Sequence, residues 1–261
     1  MGHYNLLSVG QDAKTVKGEK HGFLTACLAL SPHTLGGGPT VCPHSTPGCR
    51  AGCLFNAGRA SFFQEINPAR QRKKDLFHES RDAFLALLVL ELGAFEAECQ
   101  RKGMTPSVRL NMMSDIRWEK LGVPQKFPEM GFYDYTKWPL SGRKGTPDNY
   151  QLVYSLSEHP KSWTRALEYI ASGHSVAVVF RTEEQKLEAI DHGFRGLAVL
   201  DGDQHDIRRW DSAPIVGLRA KGIARHDTTG FVMDYEPTMS IPTMAVLEMA
   251  MKRDVATATA A

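Results

Sequence analysis

Short apolar runs alternate with amphipathic stretches along most of the chain. The runs fall at positions 22–30, 108–113, 131–135, 151–155, 175–180, 196–200 and 214–218. The clearest, Ser175–Phe180, is continuous and β-branched, which is typical of a buried parallel strand. Apolar residues at helical spacing and capping residues predict helices over 68–102, 160–172 and 182–193.

This alternation predicts an α/β fold, with a parallel sheet flanked by helices. Polar residues collect just after each predicted strand, where a (β/α) barrel places its active site. We therefore expect a parallel-stranded partial barrel, with a doubly wound open α/β sheet as the alternative. No repeat or linker divides the 261 residues, so we expect a single domain over 1–261, with a disordered Ala/Thr-rich tail at 255–261.

Three of the five cysteines lie in one loop at 42–53. Cys42, Cys49 and Cys53 have the spacing C-x6-C-x3-C, with glycine and proline between them. These residues let the backbone fold back and direct several sulfurs to one point. Converging thiolates typically hold a soft metal or an iron–sulfur cluster. Three protein ligands leave one position open for chemistry, so the loop predicts a [4Fe–4S] cluster with one accessible iron.

Zinc is the alternative metal, with His44 or His33 completing a tetrahedral set. With zinc in the loop, the protein would be a non-enzymatic, zinc-stabilised module that binds nucleic acid or a host protein. The chain lacks the paired C-x2-C knuckles of zinc ribbons. Cys27, in the first predicted strand, is a further candidate ligand, although a place in the core explains it more simply.

The placement of this loop after the first predicted strand resembles the architecture of the radical S-adenosylmethionine enzymes. Their spacing is C-x3-C-x2-C, so the likeness is in architecture and the motif differs. The resemblance implies that the open iron binds S-adenosylmethionine, or a similar small molecule, for radical or redox chemistry.

Polar residues after the second, third and fourth predicted strands are the candidate cofactor-binding groups. In such an architecture they would contact the cofactor's amino group and its ribose. Turn formation, helix capping and a solvated surface charge are the simpler alternatives. The candidates are Asn111, Ser114, Asp115, Asp134, Lys137, Ser155 and Ser157.

A second titratable cluster follows the sixth predicted strand. Asp201, Asp203, His205 and Asp206 could bind a divalent cation or supply a general base. Their spacing fits no calcium loop, so an acidic surface turn is the favoured interpretation.

The formal charge of +2 gives no global argument for nucleic-acid binding. Locally, Arg70, Arg72, Lys73 and Lys74 place four cations in five positions of the long predicted helix. They could contact a nucleotide or nucleic acid, and a solvated helix face is the alternative. The sequence contains no Walker loop, no GxGxxG and no GxSxG motif, which argues against the commonest nucleotide-binding and hydrolase classes.

The expected compartment follows from the lack of a membrane-spanning or leader-like segment and from the number of cysteines. No apolar run approaches the ~20 residues that cross a bilayer, and no basic-then-apolar leader is visible. An odd number of cysteines fits a reducing environment. We therefore expect no membrane partner and a cytoplasmic protein, while the sequence leaves the oligomeric state open.

Several separated motifs also resemble one known family. They are Cys42-Pro43, Gly48-Cys49, Cys53-Leu54, Ala57-Gly58-Arg59, the segment 69–74, Arg109-Leu110-Asn111, Ser114-Asp115-Ile116, Trp118-Glu119 and the segment 132–137. This set is similar to the phage gene product 88 family. The resemblance implies a phage or prophage origin, and hence the host cytoplasm, but it implies no activity.

Overall fold

The computed structural model describes residues 5–10, 16–56, 66–208 and 211–236. Eight strands in this part of the chain form one sheet, in the order β1-β2-β3-β4-β5-β6-β8-β7. They are β1 Leu7–Val9, β2 Phe23–Leu28, β3 Thr105–Arg109, β4 Gly131–Thr136, β5 Tyr150–Ser155, β6 Ser175–Phe180, β7 Val199–Asp201 and β8 Ile215–Arg219. Only the β1–β2 pair is antiparallel among them. The predicted α/β class with a mostly parallel sheet is confirmed.

Five α-helices accompany the described strands. They are α1 Pro47–Ala51, α2 Ile66–Glu79, α3 Arg81–Lys102, α4 Ser162–Ala171 and α5 Glu183–His192. Gly103 ends α3 in the left-handed conformation, with φ of 63°. Thr182 caps α5 by accepting a hydrogen bond from the Gln185 amide, as the sequence predicts.

From β1 to β6, each strand lies in the sheet next to the strand that follows it in the chain. A doubly wound sheet would reverse at an internal strand. In each strand, alternate residues face opposite sides of the sheet. Val108, Phe132 and Leu152 pack in the main core with Phe84, Leu88 and Phe95 of α3, while Val153, Ala177 and Val216 form a smaller cluster on the other face.

Several predicted elements differ from the structure. The long helix over 68–102 is two helices, because Ser80 adopts φ of −140° between α2 and α3. The backbone hydrogen bonds Ser80 N to Leu76 O and Phe84 N to Ser80 O persist, so the interruption is one residue long. Strand β3 covers Thr105–Arg109, so it begins and ends a few residues earlier than the predicted strand at 108–113. Strand β1 was not predicted, because a three-residue strand carries too little pattern. The tail at 255–261 lies outside the described residues.

The basic cluster of α2 is largely used inside the fold. Lys74 is fully buried, and its ammonium donates to the carbonyls of His33, Leu35 and Gly37 at 2.9, 3.0 and 2.9 Å. Lys73 donates to Leu6 O at 2.7 Å. The interpretation of Arg70, Arg72, Lys73 and Lys74 as one solvated or phosphate-binding stripe is therefore wrong for the two lysines. The sequence cannot show that the glycine loop folds over Lys74 and presents three carbonyls to it.

The acidic segment after β7 is also more buried than predicted. Asp206 is 4 % exposed and accepts from Arg109 at 2.8 Å and from the Tyr133 hydroxyl at 2.9 Å. The prediction of an acidic surface turn is wrong at this residue, because β3 and β4 supply polar partners on the face opposite the main core. Asp201 and Asp203 both lie beside Lys186, at 2.8 and 3.6 Å.

None of the helices in the described ranges is long and apolar enough to cross a membrane.

Replacing Lys74 with methionine should destabilise the protein by about 3 kcal/mol, because three carbonyls lose a charged donor that water cannot replace. Urea unfolding measures this loss. The control is Arg72→Met on the same helix, at an exposed position, which should change stability by less than about 0.5 kcal/mol. Equal effects of the two substitutions would contradict the assignment.

Candidate metal centre

The cysteine loop is fixed to the sheet by a carboxylate. Thr46 caps α1 and accepts from the Cys49 amide, while its hydroxyl donates to Glu158 at 2.8 Å. Glu158 also accepts from the Gly48 amide at 2.7 Å. An anion at the amino end of a helix satisfies amides that lack partners within the helix. The loop after β2 is thereby held against the connection after β5.

Gly48 is required where the loop packs most closely. A Cβ at this position would clash with the Thr229 hydroxyl and with Cβ of Phe231. Cys49, the next residue, packs against the small apolar cluster that contains Phe231 and Ala224. The second cysteine is thus held between the loop and the segment after β8.

The three thiols occupy one electrostatic neighbourhood. Burial, together with the charges of Asp115, Cys49 and Cys53, raises the pKa of Cys42 to about 12, against the hydrogen bond from the His33 amide, which lowers it. The Cys42 sulfur accepts a hydrogen bond from the backbone amide of His33 at 3.4 Å and donates one to the backbone carbonyl of Met113 at 3.3 Å. Burial also raises the pKa of Cys53. Metal binding must therefore displace protons from these thiols.

The sulfurs do not converge as ligands of a single ion. Among the described residues, no three His, Cys, Asp or Glu side chains are grouped so that they could hold one metal ion. The His44 ring instead lies 4.3 Å from the Trp138 ring, measured between centroids. A cubane cluster places its cysteines on separate irons, so its sulfurs lie further apart than those around one zinc ion. The all-sulfur donor set fits a cluster in its chemistry.

The remaining cysteines lie elsewhere. Cys27 is buried in β2, where it lies opposite Arg109 of β3 in the sheet register. Cys99 is buried near the end of α3, where its carbonyl accepts from Met104 just before β3 begins. Neither is placed with the cysteine loop.

The structure brings the candidates after β3 and β4 together. The Asp134 carboxylate accepts from the Asn111 amide at 2.7 Å and from the Tyr150 hydroxyl at 2.6 Å. The Asn111 side-chain oxygen accepts from Ser114 at 2.8 Å and from the Trp118 indole at 3.1 Å. All of these residues are buried. Asn111, Ser114 and Asp134 therefore act in this structure as the framework beneath the site.

A second set of contacts joins Asp115, Lys137 and Ser155. The Asp115 carboxylate accepts from the Lys137 amide at 2.8 Å, and the Lys137 ammonium donates to the Ser155 hydroxyl at 2.6 Å. Ser157 pairs separately, since its amide donates to the Ser162 hydroxyl at 3.0 Å. The carboxyl ends of β3, β4 and β5 are thus connected by side chains that the sequence singled out.

A cleft of about 310 Å³ opens between the cysteine loop and the ends of β4 and β5. Its lining combines loop backbone, cations and hydroxyls, and includes no carboxylate. The lining residues are Pro43, His44, Ser45, Thr46, Pro47, Arg50, Lys137, Tyr154, Ser157, His159 and Arg165. Of the seven predicted cofactor-binding residues, Lys137 and Ser157 reach it.

Sequence reasoning missed Arg165 and Tyr154 as part of this site. Arg165 lies in the first turn of α4, directly after the β5 connection. That position was available as a signal, since the first turn of a helix after a parallel strand faces the carboxyl edge of the sheet. Glu158, which lies between β5 and α4, anchors the cysteine loop.

Removing the charge of Glu158 should loosen the cysteine loop. In Glu158→Gln, amide hydrogen exchange at Gly48 and Cys49 should accelerate about tenfold, which corresponds to ~1.4 kcal/mol of local stability. Glu168→Gln, at an exposed position of α4, is the matched control and should leave both amides unchanged. Unchanged protection in Glu158→Gln would show that the carboxylate does not hold the loop.

The Asp134 carboxyl should give stability a distinct pH dependence. Burial raises its pKa from 3.8 to about 7, against hydrogen bonds from Tyr150 and Asn111 that lower it. The folded state then binds this proton more tightly than the unfolded state, so its contribution to stability falls as pH rises from about 4 to about 7.

Chemical unfolding across this pH range, compared with Asp134→Asn, isolates the effect. The wild type should lose stability relative to the variant between those limits, and the difference should be constant above about pH 7. Parallel curves for the two proteins would contradict the assignment.

The described fold and site can be compared with known proteins. The family model described as Gene product 88 matches residues 5–235 of the chain. No curated protein and no solved structure matches it. The matched region includes every strand, the cysteine loop and the cleft. The chain therefore belongs to the phage gene product 88 family.

Proposed function

We propose that this protein is an iron–sulfur enzyme, with a [4Fe–4S] cluster bound by Cys42, Cys49 and Cys53. One iron, without a protein ligand, would face the cleft. The observation that carries the proposal is the position of a loop with three cysteines at the carboxyl edge of a parallel sheet, beside a cleft lined by cations. Parallel sheets place their chemistry at this edge.

The fold supports the finer proposal of a radical-S-adenosylmethionine-like partial barrel. Strands β2 to β6 are parallel and adjacent in chain order, as consecutive strands of a (β/α) barrel are. The cysteine loop follows β2, the first parallel strand. We propose that the sheet is a barrel segment whose carboxyl end carries the cluster, in a protein that acts in the cytoplasm of a phage host.

When bound, such a cluster supplies single-electron redox chemistry and a Lewis-acidic iron. The chain's own residues would orient and retain the second molecule. Lys137 and Arg165 attract its negative groups, Ser157 offers a hydroxyl, and the His44–Trp138 pair shields one wall from water. Of the charged groups of S-adenosylmethionine or a similar small molecule, the carboxylate fits this polarity, whereas the sulfonium and the ammonium would have to lie away from these cations.

Anaerobic reconstitution with iron and sulfide tests the proposal. The wild type should become brown and bind ~4 iron and ~4 sulfide per chain. Cys42→Ser, Cys49→Ser and Cys53→Ser should each lose most of that content. Cys99→Ala should keep it, because Cys99 lies in the core before the amino end of β3.

The same preparation separates the alternatives. If the protein is colourless and binds one zinc ion that the same serine variants lose, the result would contradict the iron–sulfur proposal and support a zinc-stabilised module. If the cluster forms, the reduced protein should convert S-adenosylmethionine to 5′-deoxyadenosine. A cluster without that product would leave an iron–sulfur protein and exclude the radical assignment.

A further inference from the structure

The charges that line the cleft are unbalanced. Three permanent cations reach it, namely Arg50 from α1, Lys137 after β4 and Arg165 in α4, and no lining residue is acidic. Ser45 and Ser157 add hydroxyls to the same wall. A concave site with several donors and no carboxylate is selective for anions.

Lys137 is the most informative of these cations. It is only 7 % exposed, and its ammonium donates to the neutral Ser155 hydroxyl at 2.6 Å. Within the described ranges it has no carboxylate at ion-pair distance, and the Phe231 ring lies 5.1 Å from its nitrogen. Because a buried ammonium costs free energy unless a counter-ion compensates it, this side chain favours a bound anion.

The nearest carboxylates are already occupied. Glu158 accepts from the Thr46 hydroxyl and the Gly48 amide, so its charge serves the helix terminus. Asp115 accepts from the backbone amide of Lys137 and lies 3.9 Å from Arg143, so its single negative charge is shared between Arg143 and the Lys137 ammonium. Arg50, beside the opening, donates to Ser45 O at 2.8 Å. The positive charge of the cleft is therefore left for a ligand.

We propose that the cleft binds the phosphate group of a small molecule, with Lys137 at the centre and Arg50 and Arg165 beside it. The three cations together offer more N–H donors than one carboxylate can accept, whereas a phosphate dianion has three strongly accepting oxygens. Guanidinium groups match phosphate geometry. The size of the cleft favours a phosphorylated metabolite or a mononucleotide over a polymer. The proposal goes beyond the cluster assignment and stands without it.

Isothermal titration calorimetry with inorganic phosphate tests this inference. The wild-type protein should bind phosphate with a Kd below about 1 mM. Lys137→Met and Arg165→Gln should each weaken binding at least tenfold. Lys161→Gln removes an exposed charge just before α4 that does not line the cleft, and it should bind like the wild type.

Circular dichroism and thermal unfolding establish that each variant is folded, and Arg165→Gln decides the question if Lys137→Met is not. Cys53→Ser prepared without iron should bind phosphate like the wild type, which separates this site from the cluster. Absence of phosphate binding, equal weakening by Lys161→Gln, or equally tight binding of acetate would overturn the proposal.

Discussion

The buried residue Asp115, in the connection after β3, joins the parts of the site that lie far apart in sequence. The Asp115 amide donates to Val41 O at 2.8 Å, immediately before the first loop cysteine. Its side chain accepts from the Lys137 amide at 2.8 Å, and its carbonyl accepts from the Trp138 indole at 2.9 Å. One residue thus sets the distance between the cysteine loop and the connection after β4. The cleft exists because that distance is fixed.

Below this contact the site has a rigid base. Asp134 and Asn111 saturate each other's hydrogen-bonding groups, with Tyr150 and Trp118 contributing from neighbouring segments. Buried and fully paired polar groups of this kind hold a backbone in one arrangement. The loops above can then present cysteines and cations at defined positions, as binding loops on a stable scaffold generally do. The division between framework and lining explains why only Lys137 and Ser157 of the candidates reach the cleft.

Hydrophobic pattern was enough to predict most of the sheet. Strand β6 has the predicted bounds, and β4 and β5 differ by a single residue at one end. Pattern failed where a side chain is buried with its charge. Lys74 and Asp206 look like surface residues in the sequence, yet both are buried and form hydrogen bonds with residues at least 37 positions away. Such partners become neighbours only through the topology, which local periodicity does not encode.

The site was predictable to the extent that it follows from topology alone. Placing polar residues after parallel strands located Lys137 and Ser157, and the spacing of the cysteines located the loop. The anchoring role of Glu158 depends on how the connection after β5 and the start of α1 approach each other across the carboxyl edge. No spacing along the chain expresses that approach.

The most direct test of the central claim is anomalous X-ray scattering at the iron edge from crystals grown without oxygen. The account predicts one compact iron peak among Cys42, Cys49 and Cys53, with one iron facing the cleft and bound by no protein side chain. Absence of iron there, a peak at the zinc edge instead, or a fourth side chain bound to that iron would contradict it.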